Sequence, residues 1–279
     1  MKHILTILAA VVLSLGVVHL WGPAGGQNAP HKETAYERVM RTGVLRCGYA
    51  PWPPYYDYNP NTKELTGIAK DFSDKIFQLL ALKVEYIQLN VATAVQDMKM
   101  GRVDAMCFDG PWVIPAAKIV DYTRPWLYAP VYVYGKNLTV ADLNKETTRF
   151  IGLDGDLSVD AVPHIFPKAQ AKAFPGGGDY AMLFVEIDAG RADATIIDAP
   201  SYQKYIANNE TLIELITKKP VAVYPAGMSV AKGEVELLSV LDSGIHMAIA
   251  MGLAEQFAQK LDPTGVSIIP VTLPLKGVQ

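Results

Sequence analysis

The sequence has few of the residues that mark several large classes of protein. Its 279 residues include two cysteines and five histidines, and they show no Cys/His spacing typical of a zinc site. It has no glycine-rich phosphate-binding loop and no stripe of Lys or Arg, and its net charge is −3. The sequence therefore predicts no metal, no cofactor and no nucleic-acid partner.

The apolar run near the N-terminus, residues 4–18, is short for a membrane span. Lys2 and His3 precede it, and small residues follow at 23–26, which is typical of a secretory signal peptide. We assign residues 1–26 to this signal. An uncleaved N-terminal anchor is the alternative, because no A-x-A cleavage box is clear. No cysteine closely follows the run, which argues against lipid attachment.

Export would place the two cysteines, Cys47 and Cys107, in an oxidising compartment. Each lies in a predicted strand, within LRCGY and DAMCF. If these strands are neighbours, a disulfide between them is feasible. The alternative is two buried free thiols that pack as small hydrophobic groups.

One sequence pattern occurs twice. MKMGRVDAMCFDGP contains G-R-x-D-A followed by Asp109, and IDAGRADATIIDAP repeats this order and ends its apolar run at Asp198. A glycine after a helical stretch, Gly101 or Gly190, is typical of a helix end, and the apolar run after it predicts a buried strand. Each copy therefore predicts a carboxylate at the carboxyl end of a strand, where open α/β sheets bind ligands.

Helical and strand-like patterns alternate along the rest of the chain. Strands are predicted at 44–49, 84–89, 149–153 and 170–174, and helices at 69–80, 159–165, 237–251 and 253–261. Two extended stretches, 128–134 and 224–232, are candidates for strands that cross between two units. The apolar tail, 267–275, is expected on the surface of one unit, because its prolines disfavour a central strand.

The order of these segments resembles a known family. LRCGYAPWPPYYDYNPNTKELTGIAKDFSDKI, VEYIQL, GRVDAMCFDGP, KIVDYTRPW, RFIGLDGDLS, GRADATIID and YPAGMSVAKGE follow one another as in the bacterial extracellular solute-binding proteins of family 3. These are periplasmic proteins of polar amino-acid uptake systems. The resemblance covers about residues 35–261 and implies an α/β, two-lobed periplasmic binding protein fold of type II.

The resemblance also implies the domain plan and the partners. It places lobe 1 at residues 44–127 plus 227–279, lobe 2 at 134–222, and hinge crossings at about 128–133 and 223–226. It implies a periplasmic, monomeric protein that closes by a hinge on a small polar solute and docks on a membrane ABC permease.

The resemblance implies which residues contact the ligand. An early aromatic segment, a strand end after the first G-R-x-D-A copy, a turn in the second unit and an acidic residue after the second copy carry these contacts in the family. The matching positions are Trp52, Tyr55, Asp109, Gly110, Trp112, Gly155, Asp156, Leu157 and Asp198.

One position departs from the family pattern. The family's T-x-x-R box carries an arginine that grips an α-carboxylate with two parallel hydrogen bonds. Here Ile114 stands at the threonine and Ala117 at the arginine, and Lys118 would point elsewhere. With two cleft aspartates and no facing arginine, we expect a cationic or neutral polar ligand.

Two functions of other classes stay open at this stage. An enzyme on the same fold, such as the family's periplasmic dehydratases, needs a positioned general acid, which Asp198 or Asp156 could supply. Those substrates are carboxylates, so the missing arginine counts against this alternative. The other alternative is a soluble sensor module. The transport protein is the favoured hypothesis.

Overall fold

The computed structural model of the protein describes residues 32–110, 116–175, 179–263 and 267–273. All of its helices and strands belong to the unit formed by residues 35–279. The predicted signal peptide, 1–26, lies outside the described residues.

The helices and strands alternate through most of the chain. The helices are α1 Ala35–Thr42, α2 Ile68–Leu79, α3 Ala94–Lys99, α4 Leu157–Asp160, α5 Val162–Ile165, α6 Ala181–Asp188, α7 Ala199–Ile206, α8 Val235–Ala250 and α9 Leu253–Leu261. The strands are β1 Val44–Tyr49, β2 Asp57–Asn59, β3 Glu64–Thr66, β4 Lys83–Gln88, β5 Ala105–Asp109, β6 Val120–Tyr122, β7 Leu127–Gly135, β8 Arg149–Leu153, β9 Gln170–Phe174, β10 Ala194–Asp198, β11 Glu214–Leu215, β12 Ala222–Ala231 and β13 Ile269–Pro270.

Apart from β2 and β3, which pair only with each other, the strands form two groups that share two long antiparallel strands. In the first group, β1 lies parallel between β4 and β5. In the second group, β8 lies between β9 and β10, parallel to both. We call the groups, with the helices packed on them, lobe 1 and lobe 2.

The strands β7 and β12 join the lobes. The first half of β12 pairs with β7, whereas its second half pairs with β5 and β6. On its other side β7 pairs with β10 of lobe 2. These two strands lie where the sequence predicted the crossings. The exact hinge limits, 128–133 and 223–226, stay a prediction.

Helix α2 illustrates how the pattern of the sequence forms the core of lobe 1. Its apolar residues recur at helical spacing, so Phe72, Ile76 and Phe77 lie on one buried face. Phe72 stacks on the buried Trp126 with the ring centroids 3.9 Å apart. This packing fixes α2 on the sheet directly before β7 begins.

The G-R-x-D-A repeat has the same role in both lobes. The aspartate of G-R-x-D-A, Asp104 or Asp193, accepts hydrogen bonds from the backbone and the guanidinium of an arginine on the neighbouring parallel strand. That arginine is Arg46 on β1 or Arg149 on β8. The duplicated turn therefore joins two neighbouring strands in each lobe, and the strand that follows it ends at Asp109 in lobe 1 and at Asp198 in lobe 2.

One predicted element differs clearly from the structure. The helix predicted at 159–165 begins earlier, at Leu157, because Asp156 caps it there, and it is divided into α4 and α5. The tail agrees with the expectation of a surface position, because Ile269 and Pro270 pair only with the first residues of β7 and Ile269 is exposed. Within the described residues no single helix is long and apolar enough to cross a membrane, although α8 and α9, bent by 77°, reach that length and composition as a pair.

The two cysteines are joined by a disulfide between β1 and β5. Their Cα atoms are 5.7 Å apart, because β1 and β5 are neighbouring strands and Cys47 pairs with Ala105. The bond closes a loop across a sequence separation of 60 residues.

We expect the denatured, unreduced protein to show no thiol that reacts with a thiol reagent. Reduction should release two thiols and lower the free energy of unfolding by about 4 kcal/mol, because the disulfide restricts the unfolded chain. Equilibrium denaturation with and without reductant measures the second effect. Two reactive thiols before reduction would contradict the bond.

Candidate functional site

A cavity of about 110 Å³ lies between the lobes. It is small beside the roughly 300–1,000 Å³ of drug-sized sites, which favours a solute of few heavy atoms. Its lining includes two carboxylates and four aromatic rings: Asp109, Asp156, Trp52, Phe108, Tyr180 and Tyr224. Asp109 belongs to lobe 1 and Asp156 to lobe 2.

Asp109 is the last residue of β5 and the acidic group of lobe 1 at this cavity. Its Oδ2 accepts a hydrogen bond of 2.5 Å from the Ser229 hydroxyl, and its Oδ1 accepts one of 2.7 Å from the Gly110 amide. Burial raises the pKa of Asp109 to about 6, although the bonds from Ser229 and Gly110 oppose this and the charge of Asp156 adds to it. Asp109 is therefore ionised at neutral pH and becomes neutral in mild acid.

Asp156 is the acidic group of lobe 2. It caps helix α4, so its Oδ1 accepts bonds from the amide and hydroxyl of Ser158, at 2.8 and 2.5 Å. Its Oδ2 accepts a 2.8 Å bond from the Tyr180 hydroxyl. Burial raises the pKa of Asp156, whereas the bonds from Ser158 and Tyr180 lower it. The cap and the tyrosine together hold the carboxylate toward the cavity.

Aromatic rings from both lobes form one wall. The ring of Trp52 stacks on that of Tyr180, with the two ring centroids 4.7 Å apart. Trp52 also makes edge-to-face contacts with Tyr224 and Phe108, at centroid distances of 5.3 and 5.4 Å. Ring faces carry negative electrostatic potential, and they attract cations. Rings and carboxylates at the same cavity therefore favour a positively charged group.

The remaining part of the lining comes from lobe 1 apart from Gly155, and it is mostly apolar, with the two tyrosines Tyr56 and Tyr122. Val91, Ala94, Val95, Met98, Met106 and Val120 line it. Most of them belong to one hydrophobic cluster around α3 and β5. This part of the cavity offers no charged group among the described residues.

Asp198 is fully buried and does not line the cavity. It caps helix α7 by accepting bonds from the amide and hydroxyl of Ser201, at 2.9 and 2.7 Å. From the other lobe, the Trp52 indole donates at 3.2 Å and the Tyr55 hydroxyl at 3.1 Å. Burial raises the pKa of Asp198, and these hydrogen bonds oppose the rise. Asp198 thus joins the lobes behind the aromatic wall.

No Lys or Arg lines the cavity among the described residues. Several of these side chains form ion pairs elsewhere, including Arg46 with Asp104, Arg124 with Asp242 and Lys232 with Asp121. Segments 111–115 and 176–178, which the structure does not describe, contain no charged residue in the sequence. Ala117 is exposed and brings no charge to the site. The cavity is therefore acidic.

The predicted site residues divide into three sets. The structure brings Trp52, Asp109, Gly155 and Asp156 to the cavity. Tyr55, Gly110, Leu157 and Asp198 are not part of its lining, and Trp112 lies outside the described residues. Gly110 has a packing role, because a Cβ there would lie 1.9 Å from the Pro225 carbonyl oxygen. For these five residues, ligand contact stays a prediction.

Sequence reasoning missed Tyr180, Tyr224 and Phe108 and the apolar part of the lining. Tyr180 follows a run of glycines before α6, and Tyr224 lies inside a crossing strand, so neither stands in a motif that signals a site. The methionines and valines of α3 and β5 show only ordinary core patterning. Their approach to the cavity depends on how the lobes meet.

Residues 45–261 match the family model of bacterial extracellular solute-binding proteins, family 3. The chain belongs to this family. The match covers most of the sequence and both lobes, so the resemblance of the motifs is confirmed.

Solved structures show the same two-lobed fold of type II. The ancestral amino acid-binding protein AncCDT-1, a precursor of cyclohexadienyl dehydratase, is 24% identical with a TM-score of 0.67, over 82% of this chain and 99% of that one. The P235GK mutant of ArgBP from T. maritima is 17% identical with a TM-score of 0.68, over the same shares. A histidine kinase sensor domain with similarity to periplasmic binding proteins is 18% identical with a TM-score of 0.67, over 82% and 98%. No curated protein matches the chain in sequence.

Proposed function

We propose that this family 3 protein captures a small cationic solute between its lobes and delivers it to a membrane ABC importer. The observation that carries the proposal is the acidic, aromatic cavity, which holds Asp109 and Asp156 and no Lys or Arg among the described lining residues. The protein would act as a monomer in the periplasm, after removal of residues 1–26.

Contacts between the lobes support capture by closure. Trp52 of lobe 1 stacks on Tyr180 of lobe 2, and Lys204 of lobe 2 pairs with Asp57 of lobe 1 at 2.9 Å. Because each lobe supplies one carboxylate, a bound cation would draw the lobes together, as hinge-closing proteins require. Separation of the lobes would then release the solute to the permease.

One observation favours an enzyme as the alternative to a binding protein. The raised pKa of Asp109, about 6, is typical of a general acid. One similar structure is described as a precursor of cyclohexadienyl dehydratase. A carboxylate substrate would meet two buried aspartates here and no described cationic partner in the lining, so we propose a binding protein and not an enzyme.

A thermal-shift screen tests the proposal on the purified mature protein. Amines, amino acids, sugars and organic acids are compared, and a bound solute raises the unfolding temperature in proportion to RT ln(1 + [L]/Kd). We expect cations alone to stabilise the protein. Stabilisation by organic acids, or turnover of a solute, would overturn the proposal.

The pH dependence of the shift is a sharper form of the same test. As pH falls through about 6, Asp109 gains a proton and loses its charge, so a solute that stays cationic binds less tightly. We expect Kd to rise about tenfold from pH 7 to pH 5, because the ionised fraction falls by that factor. Because the pKa of Asp109 is raised from 3.8 to about 6 by folding, the empty protein becomes less stable as pH rises between these two values. Each shift is therefore measured against the empty protein at the same pH.

A further inference from the structure

The two carboxylates of the cavity differ in the hydrogen-bonding capacity that they keep. An ionised carboxylate offers about four lone-pair sites. Among the described residues, Ser229 and Gly110 donate to Asp109, whereas Asp156 accepts from the amide and hydroxyl of Ser158 and from Tyr180, and the Leu157 amide also favours its charged form. Asp109 therefore has room for further donors, and Asp156 adds a second negative charge. An ammonium group carries N–H donors and a positive charge, which match these sites.

The rest of the cavity does not suit a second charged group. Val91, Val95, Met98, Met106 and Val120 provide apolar surface, and the lining tyrosines Tyr56 and Tyr122 carry no charge. A carboxylate on the solute would lie in the same small cavity as two aspartates, where like charges repel strongly at low dielectric. A second ammonium in this part would be desolvated without a charged partner.

We propose that the solute is a small monoamine with an apolar body and no carboxylate. This inference rests on the proposed function and names the class of its solute. The ammonium lies between Asp109 and Asp156 beside the rings of Trp52 and Tyr180. The apolar body lies against α3 and β5. An acidic site alone would also accept zwitterions and diamines. The apolar part of this cavity disfavours both, because each carries a second charged group.

Four solutes that differ by single groups test the inference. n-Pentylamine is norleucine without its carboxylate, and cadaverine is lysine without its carboxylate. We expect n-pentylamine to bind at least tenfold more tightly than norleucine, lysine or cadaverine, as measured by calorimetric titration of the purified mature protein at pH 7. Equal or tighter binding of any of the other three would overturn the inference.

A matched pair of variants tests where the apolar body lies. Val95 lines the cavity from α3, whereas its exposed neighbour Gln96 does not. Val95→Glu places a carboxylate at the apolar part, so it should reverse the preference and favour cadaverine over n-pentylamine. Gln96→Glu adds the same charge on the same helix and should leave the preference unchanged. The same preference in both variants would show that the body lies elsewhere.

The outcomes separate this inference from the proposed function. If none of the four solutes binds and the cation that does bind is a diamine or carries a carboxylate, the monoamine inference is wrong and cation capture stands. If no cation binds at all, both are wrong.

Discussion

Asp109→Asn lowers the affinity for a cationic solute by at least a hundredfold, which corresponds to about 2.8 kcal/mol or more. The reason is that the variant removes one of the two carboxylates that we propose as partners of the cation, and the loss of a charged partner in a buried site is costly. The amide keeps the shape of the side chain, so the fold is retained. Calorimetric titration of the two proteins at pH 7 measures the change.

The same variant should be more stable than the wild type when both are empty. Burial disfavours the charged form of Asp109, as its pKa of about 6 indicates, and asparagine carries no charge. We expect a gain of about 1 kcal/mol in the free energy of unfolding at pH 7. A loss of affinity caused by misfolding would lower stability instead, so the two measurements together identify the cause.

Asp154→Asn is the matched control. Asp154 is exposed, lies two residues before Asp156, and does not line the cavity. The variant makes the same change in net charge near the site, but solvent screens that charge. We expect less than a twofold change in affinity. A similar loss in both variants would assign the effect to the general field of the protein and not to contact with Asp109.

Asp198→Ala lowers the free energy of unfolding by about 3 kcal/mol, or about 10 °C in unfolding temperature. Asp198 is buried and accepts bonds from Trp52, Tyr55 and Ser201. Truncation removes the cap of α7 and the acceptor of the buried Tyr55 hydroxyl, whereas the Trp52 indole keeps the Ser201 hydroxyl as an acceptor at 2.8 Å. The cap alone is worth about 1 kcal/mol. Equilibrium denaturation of the empty proteins measures the loss.

Asp198→Asn is the comparison for this prediction, because its amide oxygen still accepts hydrogen bonds. We expect it to lose less than half as much stability as Asp198→Ala. The size of the alanine effect also reports on closure. If Asp198→Ala costs only about 1 kcal/mol, Trp52 and Tyr55 do not contact Asp198 in the empty protein in solution, and the lobes are then open.

Local patterns were enough to predict most helices and strands. Strands β8 and β9 and helix α9 have the predicted bounds, because apolar periodicity and flanking turns act over a few residues. Apolar periodicity did not predict the correct bounds of α4 and α5. The capping contact of Asp156 with Ser158 and the proline inside α5 moved the start and divided the helix.

The sequence by itself determined the family, the alternating elements and the two strand-end aspartates of the duplicated turn. These features depend on neighbours in the chain and on motif order. Which of these aspartates lines the cavity was decided only by the tertiary structure. Asp109 and Asp198 end equivalent strands, but Trp52 and Tyr55 of the other lobe contact Asp198, while Asp156 joins Asp109 at the cavity. That difference arises from the closure of two lobes, which brings together residues far apart in the chain.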